Sequence, residues 1–121
     1  MIINLTGEPV RLYGLSAADV IEDDALDSGC IVIPAEDPPA YLDVISLGSP
    51  GDDVHGGRTV EIDLCEFHVR DLPAPQASTR LIVPPGVALA SRGRGDLLIA
   101  FGDVVDTTGA SVGHRLLVSP C

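Results

Sequence analysis

The aliphatic residues of this chain come in short runs, and each run is bounded by proline or glycine. Cys30-Ile31-Val32-Ile33 is closed by Pro34, Tyr41 to Leu47 by Gly48, and Thr79 to Val83 by Pro84-Pro85-Gly86. Leu97 to Phe101 follows Arg92-Gly93-Arg94-Gly95-Asp96. Runs this short and this rich in β-branched residues read as strands, because proline removes a backbone donor and glycine loosens the chain between them. The pattern predicts a mainly β fold, a small antiparallel barrel or sandwich of about six to eight strands with one or two short helices. With 121 residues, the chain is long enough to bury a core as one domain over 1–121.

Taken in order, Ile2 to Leu5 and Val10 to Tyr13 flank the turn residues Thr6-Gly7-Glu8-Pro9, which predicts an opening hairpin. Ser16 with Asp19 three residues on predicts a helical turn, although Glu22-Asp23-Asp24 would suit a helix start better than its end. That acidic run lacks the ligand spacing of a calcium loop and reads as solvated. Gly48 to Gly57 predicts a loop at a hairpin tip, with His55 exposed in it. Thr59 to Val69 alternates as one long strand whose phase flips near Cys65-Glu66, which calls for a β-bulge or a change of face there. Val87 to Ala90 predicts one helical turn entered through Pro-Pro-Gly, and Asp106-Thr107-Thr108-Gly109 has its Asp and Gly where a tight hairpin wants them.

Charge narrows the partners. The net charge is −11, lysine is absent, and all seven cations are arginines. Residues 1–57 hold one arginine against eleven acids, and residues 58–121 hold six against seven. An acidic surface excludes bare nucleic acid, and with no Trp, two Phe and two Tyr there is little to stack bases on. Thirteen aspartates and no lysine fit a GC-rich genome better than halophily, because the apolar fraction is not depleted. Cys30, Cys65 and Cys121 form no CxxC pair and are odd in number, which predicts free thiols in a reducing cytoplasm. No signal peptide is evident at the N-terminus, and no apolar run reaches membrane-spanning length.

Ile3-Asn4-Leu5-Thr6 resembles the INLTPH opening of a family of small uncharacterised phage and actinobacterial proteins. The resemblance continues in order through Leu72-Pro73-Ala74-Pro75, Ile82-Val83, Val87-Ala88, Arg94-Gly95-Asp96-Leu97 and the Val104 to Gly109 hairpin, over residues 2–6 and about 72–117. Gly7-Glu8 stands where the family has Pro-His, so no role of that histidine carries over. The resemblance implies a phage or mobile-element origin and this architecture, and it implies no activity.

Of the candidate sites, Arg92 and Arg94 on their glycine-rich loop, with Asp96 beside them and Arg80, offer planar forks for an anion if they converge on one pocket. Ion pairing with the acidic half of the chain is the plainer role for the same arginines. Asn4 and Thr6 either touch a ligand or cap the turn that follows them. Cys65 and His68, three apart on a strand, fall on opposite faces, and His68 and His114 show no metal-binding spacing. No GxSxG elbow is present. The expectation is therefore a non-catalytic binding protein without metal or cofactor, which acts in a bacterial cytoplasm and binds a host or phage protein or a small, nucleotide-like anion. No nucleic acid or membrane is expected as partner. A small hydrolase-like enzyme is one alternative; a virion structural or assembly protein, marked by homo-oligomers, is another.

Overall fold

The aliphatic runs become strands in the computed structural model, which describes residues 1–48 and 51–120. In chain order these are β1 (Ile2–Asn4), β2 (Val10–Leu12), β3 (Ile31–Ile33), β4 (Tyr41–Ser46) and β5 (Gly51–His55). They continue with β6 (Arg58–Ile62), β7 (Cys65–Arg70), β8 (Arg80–Ile82), β9 (Leu97–Val105) and β10 (Ser111–Val118). One short helix, α1 (Pro85–Ala90), joins β8 to β9, with proline in its first turn where no backbone donor is missed. The helical turn expected around Ser16 forms instead as a 3-10 turn at Asp23–Ala25, where Asp23 and Asp24 occupy its first turn. Ser49, Pro50 and Cys121, part of the expected loop and one of the expected thiols, lie outside the described residues.

Six strands form one sheet in the order β1-β8-β9-β10-β2-β3. A bridge between Asn4 and Ala35 brings its last edge back to its first, so the sheet is a nearly closed barrel. The mainly β, barrel-like fold is thus the one expected, with more parallel pairing than foreseen. β1–β8, β8–β9 and β10–β2 are parallel, whereas β9–β10 and β2–β3 are antiparallel. The helix α1 accounts for one parallel pair: a helical crossover returns the chain to the end where β8 began.

The opening hairpin does not form. β1 lies beside β8, and β2 lies between β3 and β10. The reason is burial. Ile3 and Leu5 pack with Leu81 and Val83 on the outer side of the sheet, while Val10 and Leu12 pack with Ile82 and Leu98 inside the barrel. The backbone of β1 is instead spent on β8, with the Arg80 amide donating to the Met1 carbonyl and the Leu5 amide to the Ile82 carbonyl.

The core has these two layers. Ile82 and Leu98, flanked by Val10, fill the barrel; Leu81, Val83, Leu97 and the α1 residues Val87 and Ala88 form the second layer outside it. Ile82, Val83, Leu97 and Val87 are at most 1% exposed. Each such side chain contributes about 1.5–3 kcal/mol by leaving water. At the seam between β2 and β10, Gly113 is required: a Cβ there would lie 2.8 Å from the Arg11 carbonyl oxygen and 2.6 Å from the Tyr13 ring.

Candidate functional site

The chain between Ala40 and Asp71 leaves the barrel and returns as a two-stranded arm. β4 pairs with β7, with Tyr41 opposite Arg70 and Ser46 opposite Cys65. Farther out β5 pairs with β6, with Gly51 opposite Ile62 and His55 opposite Arg58. The Leu47 amide donates to the Leu64 carbonyl at 2.8 Å between the two segments. The expected loop over 48–57 therefore contains a strand, and the expected single strand from Thr59 to Val69 is cut in two at Asp63-Leu64, close to the flip in its apolar phase. These two changes raise the strand count to ten among the described residues.

Alternation along β4 and β7 sorts their side chains onto two faces. Leu42 with Val69, Val44 with Phe67, and Ser46 with Cys65 share one face. At its base Leu42 and Val69 join the second core layer under α1. One step outward, Val44 and Phe67 are 55% and 58% exposed. The apolar face runs from the core straight into solvent. Tyr41 with Arg70, Asp43 with His68, and Ile45 with Glu66 share the opposite face, where Arg70 pairs with Asp43 at 3.4 Å and His68 with Glu66 at 3.1 Å. Every residue of β5 and β6 is exposed, Val54, Val60 and Ile62 included. These aliphatic and aromatic side chains form an apolar patch open to solvent.

The residues singled out from the sequence lie elsewhere. Asn4 is fully buried, and its amide is spent within the chain: Nδ2 donates to the carbonyls of Glu8 and Ile33, and Oδ1 accepts from the Thr6 amide and hydroxyl. The pair Asn4–Thr6 thus holds the turn that ends β1 and ties it to β3. Arg94 grips Asp96 with Nε and Nη2, both at 2.8 Å, and gives a further bond to the Pro73 carbonyl. The Arg94 hydrogen bonds outweigh burial, which acts the other way, and hold the Asp96 carboxyl below the usual carboxylate range. Arg80 and Arg92 are exposed. Of the cavities at the surface, one is lined by Arg80, next to Met1 and Ser78, and two others of about 200 and 760 Å³ by none of Arg80, Arg92 and Arg94. The three guanidiniums do not converge on any of these cavities.

Two further arginines bind the acidic half. Arg11 pairs with Asp27 at 3.1 Å, and Arg115 reaches Asp19 and the carbonyls of Ala17 and Asp103. Arg115 pins the segment between β2 and β3 to the β9–β10 hairpin, a role that sequence separation conceals. Cys65 and His68 point to opposite faces of the arm, as their spacing requires. Among the described residues no group of three or more His, Cys, Asp and Glu is placed to hold a metal ion, and no helix is long and apolar enough to cross a membrane. In the arm β4, β6 and β7 were legible as strand and β5 was not, and nothing in the alternation tells a covered apolar face from an open one. The chain matches no family model, and neither a curated protein nor a solved structure is significantly similar to it.

Proposed function

We propose that this protein is a non-catalytic binding module that docks on another protein through the β4–β7 segment of its arm. The observation that carries the reading is the exposure of Val44 and Phe67 on the face whose base, Leu42 and Val69, is part of the core. A strand pair with one charged and one apolar face is stable as a layer with something on its apolar side. Here that layer is complete under α1 and open one residue pair farther out. The partner is a protein rather than a small anion, because the exposed apolar patch is present and Arg80, Arg92 and Arg94 are scattered. A phage or mobile-element origin, which the sequence resemblance implies, and action in the bacterial cytoplasm, which the cysteine pattern favours, belong to the same reading. A virion assembly role is its second form, favoured by the projecting arm, which is the kind of element that reaches a neighbouring subunit.

The test is site-specific photo-crosslinking in producing cells, with a benzophenone side chain in place of Phe67 and, as control, of Asp43 on the opposite face. The reading expects a discrete protein adduct from position 67 and none from position 43. Absence of any adduct from position 67, or equal adducts from both positions, sinks it.

A further inference from the structure

The cavity of about 200 Å³ lies at the root of the arm, between the chain that leaves for β4 and the chain that returns from β7. Its floor is apolar. Leu5 and Leu81 are buried members of the second core layer, and Ile3 packs against them. Its mouth carries three exposed carboxylates, Glu36, Asp37 and Asp71. Among the described residues no cation pairs with any of the three, and no arginine or histidine lines the cavity. Asp96 also lines it but is already neutralised by Arg94. Thr79, 8% exposed, donates its hydroxyl hydrogen to the Ala77 carbonyl at 3.2 Å, so it too offers the cavity an acceptor. Apart from the Gln76 amide, the polar side chains around this cavity can only accept.

Size and polarity together narrow the occupant. Drug-sized ligands need roughly 300–1,000 Å³, whereas this cavity has room for about six or seven water-sized groups at about 30 Å³ each. A metal ion needs several oxygens at about 2.0–2.6 Å, and no group of three or more His, Cys, Asp and Glu among the described residues is placed to supply them. Unpaired carboxylates gain most from a charged donor, and a buried aliphatic floor gains from a body without polar atoms. The order of burial sets the direction of entry. A lysine side chain of another protein would enter cation first and bring its charge to the apolar end. A ligand that enters by its aliphatic end leaves its ammonium at the mouth, among the acids. We propose that this cavity binds a primary ammonium carried on a short aliphatic body, with the body against Leu5 and Leu81 and the ammonium among Glu36, Asp37 and Asp71. A free alkylamine has this chemistry, and so does the α-amino end of a peptide that begins with an aliphatic residue. The site is separate from the Val44–Phe67 patch and stands without it.

Amide NMR titration of the whole chain with n-butylammonium chloride and with leucyl-glycinamide tests the proposal. Saturable shifts are expected at Leu5, Thr79 and Leu81, with a dissociation constant on the order of 1 mM for so small a ligand. Butanol, which has the body without the charge, and ammonium chloride, which has the charge without the body, are expected to give no saturation in the same range. Asp37→Asn combined with Asp71→Asn is expected to weaken binding by about tenfold or more. Asparagine tolerates the positive φ of 58° at position 71, and Glu36→Gln serves should the double variant fail to fold. Glu61→Gln, which removes a charge from the outer arm, is expected to bind as the unmodified chain does. Tighter binding of leucyl-glycinamide assigns the site to a peptide end, and tighter binding of butylammonium to a free amine. No saturable shift with either amine, an equal response to ammonium chloride, or undiminished binding by the Asp37→Asn/Asp71→Asn or Glu36→Gln variant overturns the proposal.

Discussion

Asp96 lies two residues from Arg94, and the turn they share brings Nε and Nη2 of the guanidinium to 2.8 Å from its two carboxylate oxygens. With side chains 15% and 22% exposed, the pair is shielded enough to matter and wet enough to avoid the full cost of burial. Its third bond, to the Pro73 carbonyl, fastens the Pro-punctuated connection after the arm to the start of β9. Because the folded-state pKa of Asp96 lies below its unfolded value, the pair's stabilisation is fully present above about pH 4 and is lost as the pH falls through the depressed value. Asp96→Asn should therefore cost about 1–2 kcal/mol near neutral pH, and the difference from the unmodified chain should shrink as the pH drops below about 4. Urea unfolding of both proteins across that range measures it; a difference that does not change with pH would mean the carboxylate's charge is not what stabilises the turn. The residue pattern Arg-Gly-Arg-Gly-Asp is open to both an anion site and an internal clamp. The choice falls to the carbonyl of Pro73, twenty-one residues away.

At the level of elements, the arm and the barrel differ in what holds them. β8 is only three residues long, yet it supplies side chains to both core layers, with Leu81 and Ile82 on opposite sides. β5 and β6 contribute none, since each of their residues is exposed and they pair with one another. The outer arm consequently adds little to the stability of the rest. Ser46 and Cys65 face each other across the ribbon, so a two-residue Asn-Gly turn can join them in place of residues 47–64. That truncated chain should unfold cooperatively within about 1 kcal/mol of the full one by chemical denaturation. A loss of several kcal/mol would assign the outer arm to the core. The β9–β10 hairpin behaves differently, because its turn is written locally. Asp106 Oδ1 accepts from the Thr108 amide and hydroxyl and from the Ala110 amide, an arrangement that any chain with Asp-Thr-Thr-Gly at a strand end can make. α1 is equally local, set by Pro84-Pro85 and closed within six residues.

For the whole molecule, charge and apolar exposure act against each other. A net charge of −11 on 121 residues loads the folded state with self-repulsion, while the uncovered Val44 and Phe67 favour contact with another apolar surface. Salt screens the first and leaves the second, since the Debye length falls from about 30 Å at 0.01 M to about 3 Å at 1 M. The folded state should therefore gain stability on going from low to high sodium chloride, with a higher urea midpoint at about 0.5 M than at about 0.02 M. Urea unfolding at the two salt concentrations checks the sign; a lower midpoint at high salt would mean that ion pairs such as Arg115–Asp19 outweigh the repulsion.

What the sequence determined by itself is what depends on near neighbours. Most aliphatic runs between prolines and glycines are strands, the Asp106 turn closes a hairpin, and the run after Pro-Pro-Gly opens a short helix, because the governing sterics and hydrogen bonds act within a few residues. The flip in phase near Cys65 called for a bulge or a change of face within one strand, whereas the strand ends at Ile62 and a new one starts at Cys65. The tertiary structure alone decided which strands meet and which faces are covered. Ile2 pairs with Arg80, Asn4 closes the barrel against Ala35, and Arg115 reaches Asp19, contacts set by competition among all apolar faces for a limited interior. Leu42 and Val69 win a place in that interior and Val44 and Phe67, on the same face, do not. That difference comes from where α1 ends above the ribbon.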